Sequence, residues 1–489
     1  MSTAEAQHAV TVTGTTADGL GTEVLPFEQL VFDHSSRFES STSLNLSSLR
    51  DAELSLGRLS MLRQYARHTL ANLRGPPRDV LASELSSLLE GRPRLSTCTV
   101  VDATFGPARD LAGLLSLSEE TGVNIVASAG ITVDEANALS RTDEEEAAEA
   151  VDIAINQLVA ELTKGVEVNY RPCDASAASA ATHVRCGMLV AGDGAHLPPG
   201  SQAREITLRV VGQAQMRTGA PLLVALPAHA SRDGGRAAIA LVRSLVSEHG
   251  ASAQGILVGH AQNLLVDTSG GVSLNSPHPP AEVALAASRE LLGLGCCLCF
   301  DGFGASWGVP GYDDAAAHNG SSSAPMGSAL SGPLAMPPPS DRTVARVVVQ
   351  LLSSGFAEQI VLSQGTWSRL QYAAFGGGGL SYLRDSVVPL FSQAGLAAND
   401  AAMQAVLCGN ATRLLSWWRP AEKPPRLVKI WECYGCHRSF EEAANPAEAL
   451  ETDHVYYEKK DMRYCSMPCL SAHRKANFAL SFACKPPPE

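Results

Sequence analysis

"PLLVALPAHASRDGGRAAIALVRSLVSEHGASAQGILVGH" occupies residues 221–260 and contains one full structural period. Its opening, PLLVALP (221–227), is apolar without alternation, the pattern of a strand covered on both faces. Over 235–249, Ala238, Leu241, Val242 and Leu245 recur at the three- and four-residue spacing of one helix face. A second apolar run, GILVGH (255–260), follows. Strand, helix and strand within forty residues predict two parallel strands joined by a crossover helix.

The period repeats on both sides. Strands are expected at TCTVVDAT (97–104), VNIVASAG (123–130), CGMLVAG (186–192), CCLCFDGF (296–303) and QIVLSQG (359–365). Amphipathic helices are expected at 143–164, 202–217, 281–294 and 341–355. Seven such units, with room for an eighth strand near LVFDH (30–34), predict an α/β chain folded as an eight-stranded (β/α)8 barrel of the TIM type. A doubly wound open sheet is the alternative, but no Gly-rich phosphate turn follows the first strand, which argues against a dinucleotide version of it.

At 489 residues, with 45% hydrophobic and 18% charged positions, the chain is long enough for one large domain plus appendages. Two long interruptions, 261–280 and 304–340, break the rhythm and read as lids, partner-binding loops or disordered insertions; the second is rich in Gly, Ser, Pro and Ala. Residues 1–20 read as a flexible N-terminus, 21–418 as the barrel, 419–429 as a Pro-containing linker and 430–480 as a separate module. No apolar run is long enough to span a membrane, and the N-terminus lacks a basic stretch followed by an apolar one, so a cytoplasmic location is expected. A net charge of −13 argues against a broad electrostatic hold on nucleic acid.

Five of the twelve cysteines (Cys433, Cys436, Cys465, Cys469 and Cys484) fall in the last 57 residues. CYGCHRSF (433–440) and RYCSMPCLSAHR (463–474) place Cys433-x2-Cys436 and Cys465-x3-Cys469 as two thiolate pairs spaced for one tetrahedral structural zinc. His473 is an alternative ligand, and His437, His454 and Cys484 are spare donors. YCSMPCLSAHR resembles the second half of MYND-type and related treble-clef fingers, which implies contact with a protein partner. Lys459, Lys460, Arg463, Arg474 and Lys475 add positive charge, yet without a stacking series beyond Tyr456, Tyr457 and Tyr464, nucleic acid ranks below protein.

In the barrel, TVVDATFGPARDLAGLLSLSEETGVNIVASAG (99–130), EITLRVVGQAQMRTGAPL (205–222), ILVGHAQ (256–262) and CLCFDGFG (297–304) occur in this order. LLSSGFAEQIVLS (351–363), FGGGGLSYLRDSVVPLFSQAGL (375–396) and VLCGNATRLLSW (406–417) follow. The set resembles the phosphotriesterase-related family of the amidohydrolase superfamily. That resemblance implies two divalent metals at the C-terminal mouth, held by four histidines, a bridging Lys or Glu and an aspartate, which together acidify a bound water. Carried over, the first-strand His-Glu-His falls in Asp33-His34-Ser35-Ser36. The bridge falls at Val190 or Ala191, the next histidine at Ala225 or Leu226, the fifth-strand histidine at His260 and the final aspartate at Gly365.

Too few of these side chains are metal ligands to hold two cations, which argues against a catalytic divalent metal in the barrel. The expected function is a binding or scaffolding protein with a barrel platform and a zinc finger for partner contact, leaving room for a small-molecule ligand at the mouth. The alternative is a metal-dependent hydrolase of an ester, lactone or amide with a rewired mononuclear site. Asp33, His34, His196, His229, His260 and Asp301 lie at or beyond predicted strand ends, and His34, His229 and His260 are the candidate ligands. Plainer readings exist for three of these: His229 as a solvent-facing loop residue, His260 as a buried strand cap and Asp301 as the carboxylate of a DGFG turn. Cys98, Cys186, Cys296, Cys297 and Cys299 read as small core hydrophobes. Glycines 376–379 precede no Lys-Ser/Thr pair, so a P-loop is not indicated.

Overall fold

A computed structural model describes residues 8–16, 19–40, 47–91, 96–141, 144–170, 180–227, 230, 235–265, 282–304, 339–397, 400–417, 428–434, 436–443, 457–459 and 462–483. The chain forms two units, divided between Trp418 and Arg419.

The first unit opens with an antiparallel hairpin, β1 (Ala9–Thr11) and β2 (Gly14–Thr16). It continues with β3 (Glu23–Glu28), β4 (Cys98–Asp102) and β5 (Asn124–Gly130), then a second hairpin, β6 (Val166–Tyr170) and β7 (Ala180–Val184). After it come β8 (Met188–Val190), β9 (Leu222–Ala225), β10 (Ile256–Gly259), β11 (Cys297–Phe300) and β12 (Ile360–Leu362). Eight of these strands form one parallel sheet in the order β12-β11-β10-β9-β8-β5-β4-β3. The helices expected from apolar periodicity are there as Glu144–Thr163, Gln202–Thr218, Arg236–Ser247, Glu282–Gly293 and Asp341–Leu351.

The sheet curls until its ends meet. Between β3 and β12 the seam is joined by Phe27 N donating to Ser363 Oγ (3.0 Å) and Gln29 N donating to the Thr366 carbonyl (2.9 Å). Side chains alternate across each strand and separate the core into two layers. Val24, Phe27, Val101, Val126, Met188, Val190, Leu223, Ala225, Leu257, Cys297, Cys299 and Val361 fill the interior, while residues such as Val100, Ile125, Leu189, Val224, Val258 and Leu298 face the helices. Buried cysteines 98, 186, 296, 297 and 299 pack here outside any disulfide.

Two expectations are corrected. The first barrel strand is Glu23–Glu28, not a segment near 30–34, because β3 carries Pro26 at a break in its pairing with β4 between Leu25 and Glu28. Proline lacks the ladder donor and is tolerated at such an irregularity, which disguises the strand in the sequence. The N-terminus is not wholly flexible: Val10 and Thr11 are buried, Val12 N donates to the Ile125 carbonyl (2.8 Å), and Ala9 and Leu20 join the interior cluster. With Ala411, Leu414 and Leu415 of the helix Asn410–Leu415, they close the barrel at the end where the strands begin.

The second unit holds two antiparallel ribbons, β13 (Val428–Glu432) with β14 (Ser439–Ala443) and β15 (Tyr457–Lys459) with β16 (Met462–Tyr464), followed by the helix Met467–Ala483. Cys433, Tyr464 and Leu470 form its small core. The interruptions expected at 261–280 and 304–340 lie outside the described residues, apart from the helical turn Ala261–Leu265, Gly304 and residues 339–340.

Candidate functional sites in the barrel mouth and the cysteine module

Glu28 ends β3 and is fully buried. Its Oε1 accepts from Ser363 Oγ (2.7 Å), Gln364 N (2.6 Å) and Gly365 N (3.1 Å); its Oε2 accepts from Thr366 N (2.7 Å) and Thr366 Oγ1 (2.6 Å). Three successive backbone N–H groups after β12 therefore form a concave anion cradle, and the chain's own carboxylate fills it. Gly365 makes the cradle possible. Its φ of 67° is left-handed, and a Cβ there would overlap the Asp301 carbonyl. Gly365→Asp, which restores the residue the family would place there, should cost at least about 2 kcal/mol through that overlap and the positive φ. Urea unfolding of the variant checks it.

Beside Glu28 in the sheet register stands Asp102, also fully buried, whose Oδ1 accepts from Leu30 N (3.1 Å) and Thr104 N (3.2 Å). Burial pushes both carboxyls up to about 7 against the hydrogen bonds that favour their ionised forms. A carboxyl whose folded pKa lies above its unfolded one adds stability that is complete below the unfolded value and disappears as pH rises through the folded one. Stability should therefore fall between about pH 4 and pH 7, from the ordinary carboxyl values to the folded ones. Asp102→Asn should flatten that slope in urea titrations, and an unchanged slope would contradict the assignment.

At the neighbouring strand ends, His260 has a left-handed φ of 54° and is 8% exposed. Its backbone N donates to Asp301 Oδ2 (2.6 Å), and its ring Nδ1–H donates to Asp301 Oδ1 (2.6 Å), which also accepts from Gln262 Nε2 (3.0 Å). Asp301 is thus a clamp on His260 rather than a local turn former. The Phe27 ring packs 4.8 Å from the imidazole, centroid to centroid, and comes so close to β10 that a Cβ at Gly259 would lie 2.7 Å from Phe27 Cε1. Phe27, Val190, Ala225 and Cys299 share the interior apolar cluster, whereas Ala191 and Leu226 belong to the outer one. Interior-facing Val190 and Ala225 are consequently the positions that look toward the mouth.

The remaining sequence candidates are dispersed. His34 stacks on Phe32 at 5.1 Å and bonds through Nε2 to Gln29 Oε1 (2.8 Å); burial drives it down to about 3, so it is neutral. Asp33 sits in an exposed turn, where the Ser35 hydroxyl and Ser35 N (2.8 Å) hold its carboxyl below the usual range. His196 bonds through Nε2 to the Ala225 carbonyl. His229 lies outside the described residues. Among the described residues, no three His, Cys, Asp or Glu side chains at the mouth bring one ligand atom each within 4.8 Å of one another. Glu28, Asp102 and Phe27 were not singled out by sequence reasoning; the one signal was a Glu closing an apolar run behind Pro26.

In the second unit, Cys433, Cys436, Cys465 and Cys469 bring their sulfurs within 4.8 Å of one another. The Sγ separations are 3.6 Å for Cys436–Cys465 and for Cys465–Cys469. Zinc at about 2.3 Å from four thiolates spaces them by roughly 3.8 Å, so the set fits a closed tetrahedral site. Left-handed His437 lets the chain turn after Cys436, with its N donating to the Cys433 carbonyl (2.8 Å). Cys465 N donates to Cys433 Sγ (3.3 Å), tying the two pairs together. His473 lies outside the four-sulfur group: its Nδ1 bonds to Tyr464 OH and its ring lies 4.9 Å from Tyr434. His454 and Cys484 lie outside the described residues.

A model of the phosphotriesterase family matches residues 85–271 and 277–415, more than half of the chain. A model of the Vms1-associating treble clef domain matches residues 428–481. The N-acetyltaurine hydrolase of Rattus norvegicus is 25% identical over 301 residues, covering 61% of this chain and 67% of that protein. A phosphotriesterase-related protein of Nematostella vectensis is 24% identical over 371 residues, covering 75% and 86%. Among solved structures, a resiniferatoxin-binding protein from Rhodobacter sphaeroides superposes with a TM-score of 0.62 at 23% identity, covering 84% of this chain and 96% of that one. The lactonase Lmo2620 from Listeria monocytogenes gives 0.52 at 16% identity, covering 84% and 100%. These two likenesses concern the fold. The chain belongs to the phosphotriesterase family, its barrel followed by a treble clef domain whose four cysteines suit zinc.

Proposed function

We propose that this protein is a binding or scaffolding member of the phosphotriesterase family, with a barrel that does not carry the family's binuclear hydrolase centre and a treble clef that contacts a protein partner. The observation that carries the reading is the Phe27 ring against His260, in the same interior cluster as Val190 and Ala225. With β3 ending at Glu28, we assign the first-strand His-Glu-His to Phe27-Glu28-Gln29 in place of the register through His34. Only the glutamate remains, and it is engaged by five donors from the end of β12. Val190, Ala225 and Gly365 offer no ligand, so His260 stands as the single family histidine. Those residues do not fit two divalent cations, and no catalytic step is derived through them.

A closed four-thiolate site leaves no position for substrate, which supports a structural zinc and a partner-binding role for the module. The domain's name, from association with Vms1, points the same way. None of the ten described cysteines is in a disulfide, consistent with the reducing, cytoplasmic setting we propose. Among the described residues no helix is long and apolar enough to cross a membrane.

A metal-dependent hydrolase acting on an ester, lactone or amide is the second reading, favoured by relatives named N-acetyltaurine hydrolase. Hydrolysis of N-acetyl amino acids, lactones and aryl esters by the wild type and by His260→Ala separates the two. The scaffold reading expects equal, background-level rates. Turnover that disappears in His260→Ala would favour the enzyme.

A further inference from the structure

We propose a surface site for a divalent cation of the zinc or cobalt class, distinct from the barrel mouth and from the cysteine module, formed by Glu205, Glu248 and His249. Glu205 lies in the first turn of the helix Gln202–Thr218; Glu248 caps the neighbouring helix Arg236–Ser247, and His249 follows it. One ligand atom from each of the three falls within 4.8 Å of the others, and His249 Nε2 stands 3.7 Å from Glu205 Oε2. Bonds of about 2.0–2.2 Å to nitrogen and oxygen in a tetrahedral shell place donors roughly 3.3–3.6 Å apart, so small side-chain rotations would close the set on one ion.

The second, independent observation is the imidazole itself. His249 Nε2 is buried and has no hydrogen-bond partner, although it faces a carboxylate. An orphaned buried nitrogen is costly and calls for an occupant. The backbone that carries the ring is fixed: His249 N donates to the Ser244 carbonyl, and its own carbonyl accepts from Gln213 Nε2 (3.1 Å). The site also sits at the carbonyl end of the helix Arg236–Ser247, where the backbone dipole favours positive charge.

Two arginines approach, and both have other partners. Arg204 donates Nε to the Ala195 carbonyl (3.1 Å) and Nη1 to Glu205 Oε1 (3.4 Å), leaving Oε2 toward His249; Arg209 lies 3.8 Å from Asp152. Three protein ligands with water completing the shell describe an exchangeable ion that would brace the two helices, unlike the closed thiolate site.

The test uses the full chain, its cysteine site first saturated with zinc, titrated with Co2+ and followed by visible absorption and calorimetry. Nitrogen and oxygen ligands give weak bands without thiolate charge transfer, so the two sites are told apart spectroscopically. The expected result is one equivalent of cobalt bound with weak bands, with affinity reduced at least about tenfold in His249→Ala and in Glu205→Gln. Glu290→Gln, a surface carboxylate paired with Arg243, should leave binding unchanged. Binding that is equal in wild type, His249→Ala and Glu205→Gln, meaning an adventitious ion only, would overturn the site. So would thiolate bands alone.

Discussion

Glu28→Ala is expected to lower the stability of the barrel by on the order of 3–5 kcal/mol, read as a shift in the urea midpoint and a lower melting temperature. The reason is geometric. The substitution leaves three backbone N–H groups and two hydroxyls without the acceptor that now engages them all at the β3–β12 seam. The sheet order places no ladder between these two strands, and beside the Gln29 N and Phe27 N bonds the five bonds to this carboxylate are a main polar link across the seam. Glu28→Gln should give a smaller loss, because one oxygen still accepts while the amide nitrogen meets donors. A Glu28→Ala barrel as stable as the wild type would show that the carboxylate is not the clasp. If Glu28 instead held a metal, added metal would stabilise the wild type and not the variant; the clasp account expects no such difference.

Cys433→Ser combined with Cys465→Ser should abolish zinc binding in the second unit and unfold it, leaving the melting of the first unit unchanged. Among the described residues that unit has a core of only three buried side chains, Cys433, Tyr464 and Leu470, one of which is itself a candidate ligand. So small a core cannot offset the conformational entropy of ordering the chain, whereas a structural zinc contributes about 10–16 kcal/mol of apparent binding energy. Proteolysis should then cut within 428–483 in the variant and spare the wild type. Protection that persists in the metal-free variant would contradict a metal-dependent fold. His473→Ala should leave zinc in place and cost only the contact of its ring with Tyr464 and Tyr434.

The barrel was legible in the sequence wherever strands were uninterrupted apolar runs and helices kept one apolar face. The unit from Leu222 to Gly259 is the clearest case, with Arg236–Ser247 burying Ala238, Leu241, Val242 and Leu245 as the periodicity requires. It failed where a strand broke the rule. Pro26 and the pairing irregularity around it made β3 unreadable, the expected strand moved to 30–34, and the family's first motif moved with it to His34. Glu28 was then invisible as a site residue, because its role depends on Ser363, Gln364, Gly365 and Thr366, more than three hundred positions away. The cysteine quartet could be read directly, since two short spacings carry most of its geometry. The clamp of Asp301 on His260 could not, because a carboxylate opening a Gly-containing turn has a nearer use for itself than a histidine forty-one positions back.

The most direct test of the account is the metal content of the full-length chain carrying Cys433→Ser, Cys465→Ser and His249→Ala, measured by mass spectrometry after dialysis against zinc and then buffer. These substitutions leave Phe27, Glu28, His260 and Asp301 untouched. The account predicts well under one equivalent of metal on a barrel that melts as the wild type does. One or two equivalents retained, and lost on His260→Ala, would contradict it and return the barrel to the metal hydrolases of its family.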